Sequence, residues 1–207
     1  MESYYPIMLK LAGKKVVVVG GGRVAERKIS GLIATKANIT VIAPEISLEL
    51  QLFVKTGKIE WLAKVFSDED IEGAFLVFAA TNDRALNQKI KDATEANSLI
   101  TIADDPENSD FHVPAKVQRG RLTVAVSTGG ASPTLARKIR DQLEQEFDER
   151  YEDYLNFLLA ARQQILQEVK DPSLKSRLLN QIVTPQFLNS KNRLADFQAL
   201  YKELVHH

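Results

Sequence analysis

Residues 15 to 19, Lys-Val-Val-Val-Val, form a β-branched run without polar alternation, the pattern of a strand buried on both faces. Gly20-Gly21-Gly22 breaks the run, and Val24-Ala25-Glu26-Arg27-Lys28-Ile29 opens a helical stretch with apolar residues as far as Ile33. Asn38 to Ile42 repeats the strand pattern and stops at Ala43-Pro44; Ile59 to Leu62 is a weaker version of it. Phe75 to Ala79 is a strong strand, followed by Thr81-Asn82-Asp83 as a cap and a helix to about Asn97. Leu99 to Ala103 reads as the next strand, ended by Asp104-Asp105-Pro106. Strands and helices alternate about every 20 to 25 residues, which predicts repeated βαβ units and a doubly wound parallel sheet of the α/β class.

The pattern changes after Phe111. Arg121 to Ser127 alternates like a half-buried strand, a glycine turn follows, and Ser132-Pro133 supplies a helix cap and first-turn proline. From about Asp148 onward strand signals stop. Leu155, Leu158, Leu159, Ile165, Leu166 and Val169 recur at helical spacing, punctuated by Pro172 and Pro185, so the tail is expected to be helical. The expected segments are 1–113, 114–147 and 148–207.

The chain has 207 residues, is 44% hydrophobic and 26% charged, and carries 27 basic against 27 acidic side chains. This is the profile of a globular protein, and zero net charge excludes a generally basic nucleic-acid binder. Cysteine is absent, which removes disulfides, thiolate nucleophiles, iron–sulfur clusters and cysteine-based zinc sites. No apolar run approaches the ~18 to 20 residues of a membrane span. Met1 to Lys14 lacks the apolar core of a signal peptide, so a cytoplasmic location without a membrane partner is expected. The final pair, His206 and His207, is set aside. That leaves His112 as the internal histidine, flanked by Phe111 and Val113, and makes a multi-histidine metal site unreachable.

Gly20-Gly21-Gly22-Arg23-Val24-Ala25 fits G-x-G-x-x-A between a buried strand and a helix. In that motif Gly20 allows the tight turn, Gly22 lets backbone approach a pyrophosphate, and Ala25 permits close helix–strand packing. The helix start adds free N–H groups and a partial positive charge. Dinucleotide binding is the expectation. Glu45 lies slightly late for the carboxylate that grips the adenosine ribose, with Ala43-Pro44 placed to line the adenine edge; Glu45 as a solvated loop residue or cap stays open. No arginine closely follows this strand to receive a 2′-phosphate, which favours NAD over NADP.

Asp104 and Asp105 directly follow a strand, on the side of an open α/β sheet where ligands sit. A carboxylate there can take the proton that must depart when hydride leaves a substrate carbon. Ordinary turn chemistry is the competing explanation for Asp-Asp-Pro. The window from Pro114 to Arg140 contains Lys116, Arg119, Arg121, Arg137, Lys138 and Arg140 with no acidic residue. Such a window suits a substrate with several carboxylates or phosphates, although part of it can simply be a solvated face. Ser127-Thr128-Gly129-Gly130 precedes the Ser132 helix and offers hydroxyls and backbone N–H groups.

Taken in order, several segments converge: Tyr5-Pro6-Ile7, the run from Val17 to Lys28, Ala79-Ala80-Thr81-Asn82, Ala103-Asp104, Phe111-His112-Val113-Pro114 and Val126 to Pro133. Together they resemble the precorrin-2 dehydrogenase family of siroheme synthesis, closely over residues 4 to 145 and loosely beyond. The resemblance implies an N-terminal NAD-binding Rossmann domain, a small α+β region for dimerisation and substrate, and a C-terminal helical domain. It implies oxidation of precorrin-2 to sirohydrochlorin by a homodimer. On the motif, Asp104 is the general base or substrate-orienting group, and Gly20, Gly21, Gly22, Arg23, Val24, Ala25, Pro44, Glu45 and Thr81 meet the cofactor. Lys116, Arg119, Arg137, Ser127 and Thr128 are the implied substrate contacts, and no metal ligands are implied. Thr128 stands where fused relatives carry a phosphorylated serine. Two alternatives stay beside this reading: a bifunctional form that also inserts iron, for which Asp104 would serve both steps, and a non-enzymatic NAD-sensing module. The fused methyltransferase form is not expected from a chain of this length.

Overall fold

A computed structural model describes residues 4–205; the terminal histidine pair lies outside them. The chain divides into two compact units, residues 1–113 and 114–207.

The first unit is built on five parallel strands: β1 (Lys15–Val19), β2 (Asn38–Ile42), β3 (Glu60–Leu62), β4 (Leu76–Ala79) and β5 (Leu99–Ile102). Their order in the sheet is β3-β2-β1-β4-β5, so the winding reverses between β1 and β4. Val17 pairs with Thr40 on one side and Val77 on the other, which fixes the register of the centre. The four valines of β1 are buried on both faces, as expected for an uninterrupted apolar run.

Three helices cover the sheet: α1 (Arg23–Leu32), α2 (Leu48–Lys55) and α3 (Arg84–Ala93). One face of the sheet packs Val16, Val18, Ile39 and Val41 against Ala25, Ile29 and Leu50. The other packs Val17, Val19, Val77 and Ile100 against Ile71 and Ile90. Helix α3 ends at Ala93, short of the expected Asn97, because Thr94 turns extended and its hydroxyl bonds back to the Ile90 carbonyl at 2.7 Å. The Ser98 hydroxyl then fastens the following turn to the Ala74 carbonyl.

The second unit opens with an antiparallel hairpin of β6 (Ala115–Arg119) and β7 (Leu122–Val126), followed by α4 (Pro133–Glu146). Strand β6 carries no sequence signal of its own: it buries only Val117, flanked by Lys116, Gln118 and Arg119, so pairing with β7 defines it. Four helices complete the unit: α5 (Arg150–Glu168), α6 (Pro172–Gln181), α7 (Pro185–Asn189) and α8 (Arg193–Val205). Proline is the first residue of α4, α6 and α7, behind side-chain caps from Ser132, Asp171 and Thr184. The buried stripe of α5 is Tyr154, Phe157, Ala161 and Ile165, whereas Leu166 is exposed. The leucine spacing thus identifies the helix but not its inner face. The aromatic side chains decide that face, with Phe157 packed against Phe187 and Phe197.

Candidate active site

The glycine turn joins β1 to α1 at the point where the sheet order reverses, where a crevice opens in doubly wound folds. Gly20 has φ +126, and a Cβ there would lie 2.3 Å from the Ala80 carbonyl oxygen. A Cβ on Gly21 would lie 2.0 Å from the carbonyl oxygen of Glu45. At Gly22 a Cβ would meet nothing within 4 Å. The first two glycines therefore let the loops after β4 and β2 close onto the turn, while Gly22 leaves its outer side open to a ligand. Ala25 is fully buried against the sheet, as the motif requires.

Hydrogen bonds fasten this arrangement. The Gly20 N–H donates to Ile42 O, and the Ser47 N–H donates to Gly21 O, both at 2.9 Å. The Ser47 hydroxyl donates to Glu26 Oε2 at 2.8 Å and tethers the β2–α2 loop to the first turn of α1. Among the described residues no side chain caps α1 at Gly22. The N–H groups of Arg23, Val24 and Ala25 have no partner among the described residues, and point as a group to an anion. Pro44 and Glu45 are exposed beside Gly21. These groups fit a dinucleotide: an open backbone cradle for the diphosphate and an exposed loop on the adenosine side.

Thr81, after β4, is tied inward. Its hydroxyl donates to Asn87 Oδ1 at 2.7 Å, and the Asn87 amide returns a bond to Thr81 O at 3.2 Å. Asn87 is buried on α3. Nothing in the motif singled out Asn87; an asparagine on the inner face of an amphipathic helix is the signal that marks it.

Asp104 sits at the carboxyl end of β5, next to β4 in the sheet. It borders a cavity of about 310 Å³ lined by Arg84, Asn87, Gln88, Ile102, Asp104 and Asp105. Asp105 is consumed by the turn: its carboxylate accepts from the Asn108 N–H and side-chain amide, at 3.2 and 2.7 Å. Asp104 is exposed, and among the described residues its carboxylate has no hydrogen-bond or ion-pair partner. The two neighbouring aspartates thus divide into a structural one and a free one. His112 packs edge-on against Tyr4, with ring centroids 4.7 Å apart.

The candidate substrate contacts all lie in the second unit. Arg119 is largely engaged: it pairs with Glu144 at 3.2 Å and donates to the Gln118 carbonyl at 3.0 Å. Lys116 donates to the Gln118 side chain, and Arg140 pairs with Asp141. Arg137 is exposed and has no ion pair among the described residues. The hydroxyls of Ser127 and Thr128 accept N–H bonds from Gly129 and Ser132, which leaves each hydroxyl proton available for donation. No group of three His, Cys, Asp or Glu side chains gathers to hold a metal among the described residues, and no helix there is long and apolar enough to cross a membrane.

Comparison with known proteins matches three successive stretches of the chain to described families. A family described as NAD(P)-binding matches residues 7–115, one described as "Sirohaem biosynthesis protein central" matches 119–146, and the "SirC C-terminal domain" matches 151–197. Precorrin-2 dehydrogenase of Priestia megaterium is 36% identical over 193 residues, covering 93% of this chain and 96% of that protein. The chain belongs to the precorrin-2 dehydrogenase family. A solved family structure, SirC, precorrin-2 dehydrogenase, matches with a TM-score of 0.83 at 34% identity, covering 97% of this chain and 100% of that one. The siroheme synthase of Actinobacillus pleuropneumoniae serotype 7 is 41% identical over 143 residues, 69% of this chain but 29% of that protein. The family fold accounts for the parallel sheet, the small antiparallel hairpin and the helical end of this chain.

Proposed function

We propose that this chain oxidises precorrin-2 to sirohydrochlorin with NAD as the hydride acceptor, and that Asp104 takes the accompanying proton. Dehydrogenation removes two hydrogens with their bonding electrons: one leaves as hydride and one as a proton. Bound NAD supplies the two-electron acceptor. The glycine turn and the free N–H groups of Arg23, Val24 and Ala25 hold the diphosphate, while Pro44 and Glu45 border the adenosine side. Thr81 borders the crevice on the β4 side, held in place by Asn87.

One observation supports the role of Asp104 above the rest. It is an unengaged carboxylate at the end of β5, one strand from the crevice, beside a second aspartate already committed to the turn. A base in that position needs no partner in the resting protein, because its partner is the substrate proton. Lys116, Arg119, Arg137, Ser127 and Thr128 are the proposed contacts for the substrate's carboxylates, with Arg137 and the two hydroxyls the least committed elsewhere. A cytoplasmic homodimer completes the reading.

Anaerobic turnover of precorrin-2 with NAD, followed by NADH absorbance, tests it. The wild type is expected to form sirohydrochlorin, and Asp104→Asn, which keeps shape but cannot accept the proton, to lose roughly 10²- to 10⁴-fold in kcat. Undiminished turnover in the variant removes Asp104 from the chemistry. A wild type that binds NAD and leaves precorrin-2 untouched makes the chain a nicotinamide sensor.

A further inference from the structure

The cavity beside Asp104 poses an electrostatic problem. Precorrin-2 is a polycarboxylate, and whichever edge of it brings a reacting carbon to Asp104 must also bring the substituents of that edge. Two of the cavity's lining residues, Asp104 and Asp105, are acidic and would repel a carboxylate substituent. Asn87 has its amide committed to Thr81. Gln88, one helical turn from Arg84, is neutral, and its amide donates to Asp92 at 2.7 Å. Arg84 is the only cation among the lining residues, and its guanidinium has no hydrogen-bond or ion-pair partner among the described residues.

Arg84 is placed by the local sequence. Asp83 caps α3 by accepting from the N–H groups of Ala85 and Leu86, at 2.8 and 3.1 Å, so its carboxylate is turned to the helix start. Arg84 is therefore the first helical residue and is left unpaired by its acidic neighbour. A cavity of about 310 Å³ is at the small end of ligand pockets, roughly 300 to 1,000 Å³, so it takes one edge of a tetrapyrrole with its side chains.

From this we infer that Arg84 binds a carboxylate side chain of the tetrapyrrole at the edge presented to Asp104, a substrate contact outside the basic window of the second unit. The inference rests on the reading of Asp104 as the base that faces the reacting carbon. A guanidinium suits the role because its planar fork bonds both oxygens of a carboxylate, and a single cation among acids selects for substrates bearing a carboxylate at that position.

The test measures binding and turnover separately. Sirohydrochlorin is titrated, without NAD, into wild type, Arg84→Ala, Arg84→Lys and Asp104→Asn, with fluorescence as the readout. KM for precorrin-2, KM for NAD and the pH profile of kcat are then measured on the same proteins. Arg84→Ala is expected to weaken sirohydrochlorin binding and raise KM for precorrin-2 by roughly tenfold or more, with KM for NAD unchanged and Arg84→Lys intermediate. Asp104→Asn is expected to bind within about threefold of wild type and to fail in kcat. Wild-type affinity in Arg84→Ala overturns the inference. So does a variant whose only change is a displaced pH profile of kcat, because Arg84 would then act on the charge of Asp104 instead of on substrate. If the wild type binds sirohydrochlorin but does not oxidise precorrin-2, the dehydrogenase reading fails, and the Arg84 contact is still decided by the ratio of affinities. No binding by the wild type overturns both.

Discussion

The Thr81 hydroxyl donates to the Oδ1 of Asn87 across 2.7 Å, and the same oxygen also receives the Thr81 N–H at 3.3 Å. One buried side chain on α3 thereby holds the loop that leaves β4 at the edge of the crevice. Asn87→Ala removes the buried amide and leaves the Thr81 hydroxyl, N–H and carbonyl without their partner. It is expected to lower unfolding free energy by about 1–3 kcal/mol and to raise KM for NAD, because the loop loses its position. Denaturant titration and steady-state kinetics check this; wild-type values in both would remove Asn87 from the site's support.

The glycine turn allows a sharper separation of folding from binding. Gly21→Ala drives a methyl group into the Glu45 carbonyl, an approach of 2.0 Å that only a movement of the β2–α2 loop relieves. Both the melting temperature and NAD affinity should fall. Gly22→Ala puts its methyl in open space on ordinary backbone, with φ −91, so the melting temperature should stay near wild type. NAD affinity should still fall, roughly tenfold or more, because the methyl occupies the pyrophosphate's approach. Thermal denaturation with and without NAD distinguishes the two variants.

Asp70 carries a stability contribution with a defined pH dependence. Burial opposes its charge, but the Lys64 ammonium at 2.8 Å and the Ser67 N–H at 2.8 Å outweigh burial and hold the carboxyl below its ordinary range. The depressed group contributes fully above the unfolded-state value of about 4, and the contribution disappears as pH falls through the lower folded-state value. Asp70→Asn is expected to cost about 0.5–1 kcal/mol at neutral pH, because the Lys64 partner is itself nearly half exposed to solvent. The gap to wild type should hold constant down to about pH 4 and close in more acidic solution. A gap that widens on acidification would contradict this.

Local chemistry made most of the first unit legible. The β1 and β2 runs match the observed strands residue for residue, because their β-branched apolar residues, Val16 to Val19 in β1 and Ile39, Val41 and Ile42 in β2, are buried in the sheet. Asp83 and, in the second unit, Ser132 act as the expected caps because each side chain reaches N–H groups within its own turn. Strand β6 was invisible because its identity comes from a partner strand, and α2 because its single fully buried residue, Leu50, leaves little periodicity to detect.

The glycine cradle, the βαβ order and the placing of Asp104 after a strand were all readable along the chain, since each depends on residues within a few positions of one another. Which groups at that edge are free became visible only in the packed fold. It showed that Asp105 is bound up with Asn108, that Arg119 is engaged by Glu144, that Gly21 is required by a carbonyl from another loop, and that Arg84 shares a cavity with Asp104. Hydrogen bonds and ion pairs act over a few ångströms in space, whatever the separation along the chain. Whether a charged side chain is committed or available is therefore a property of the packed fold.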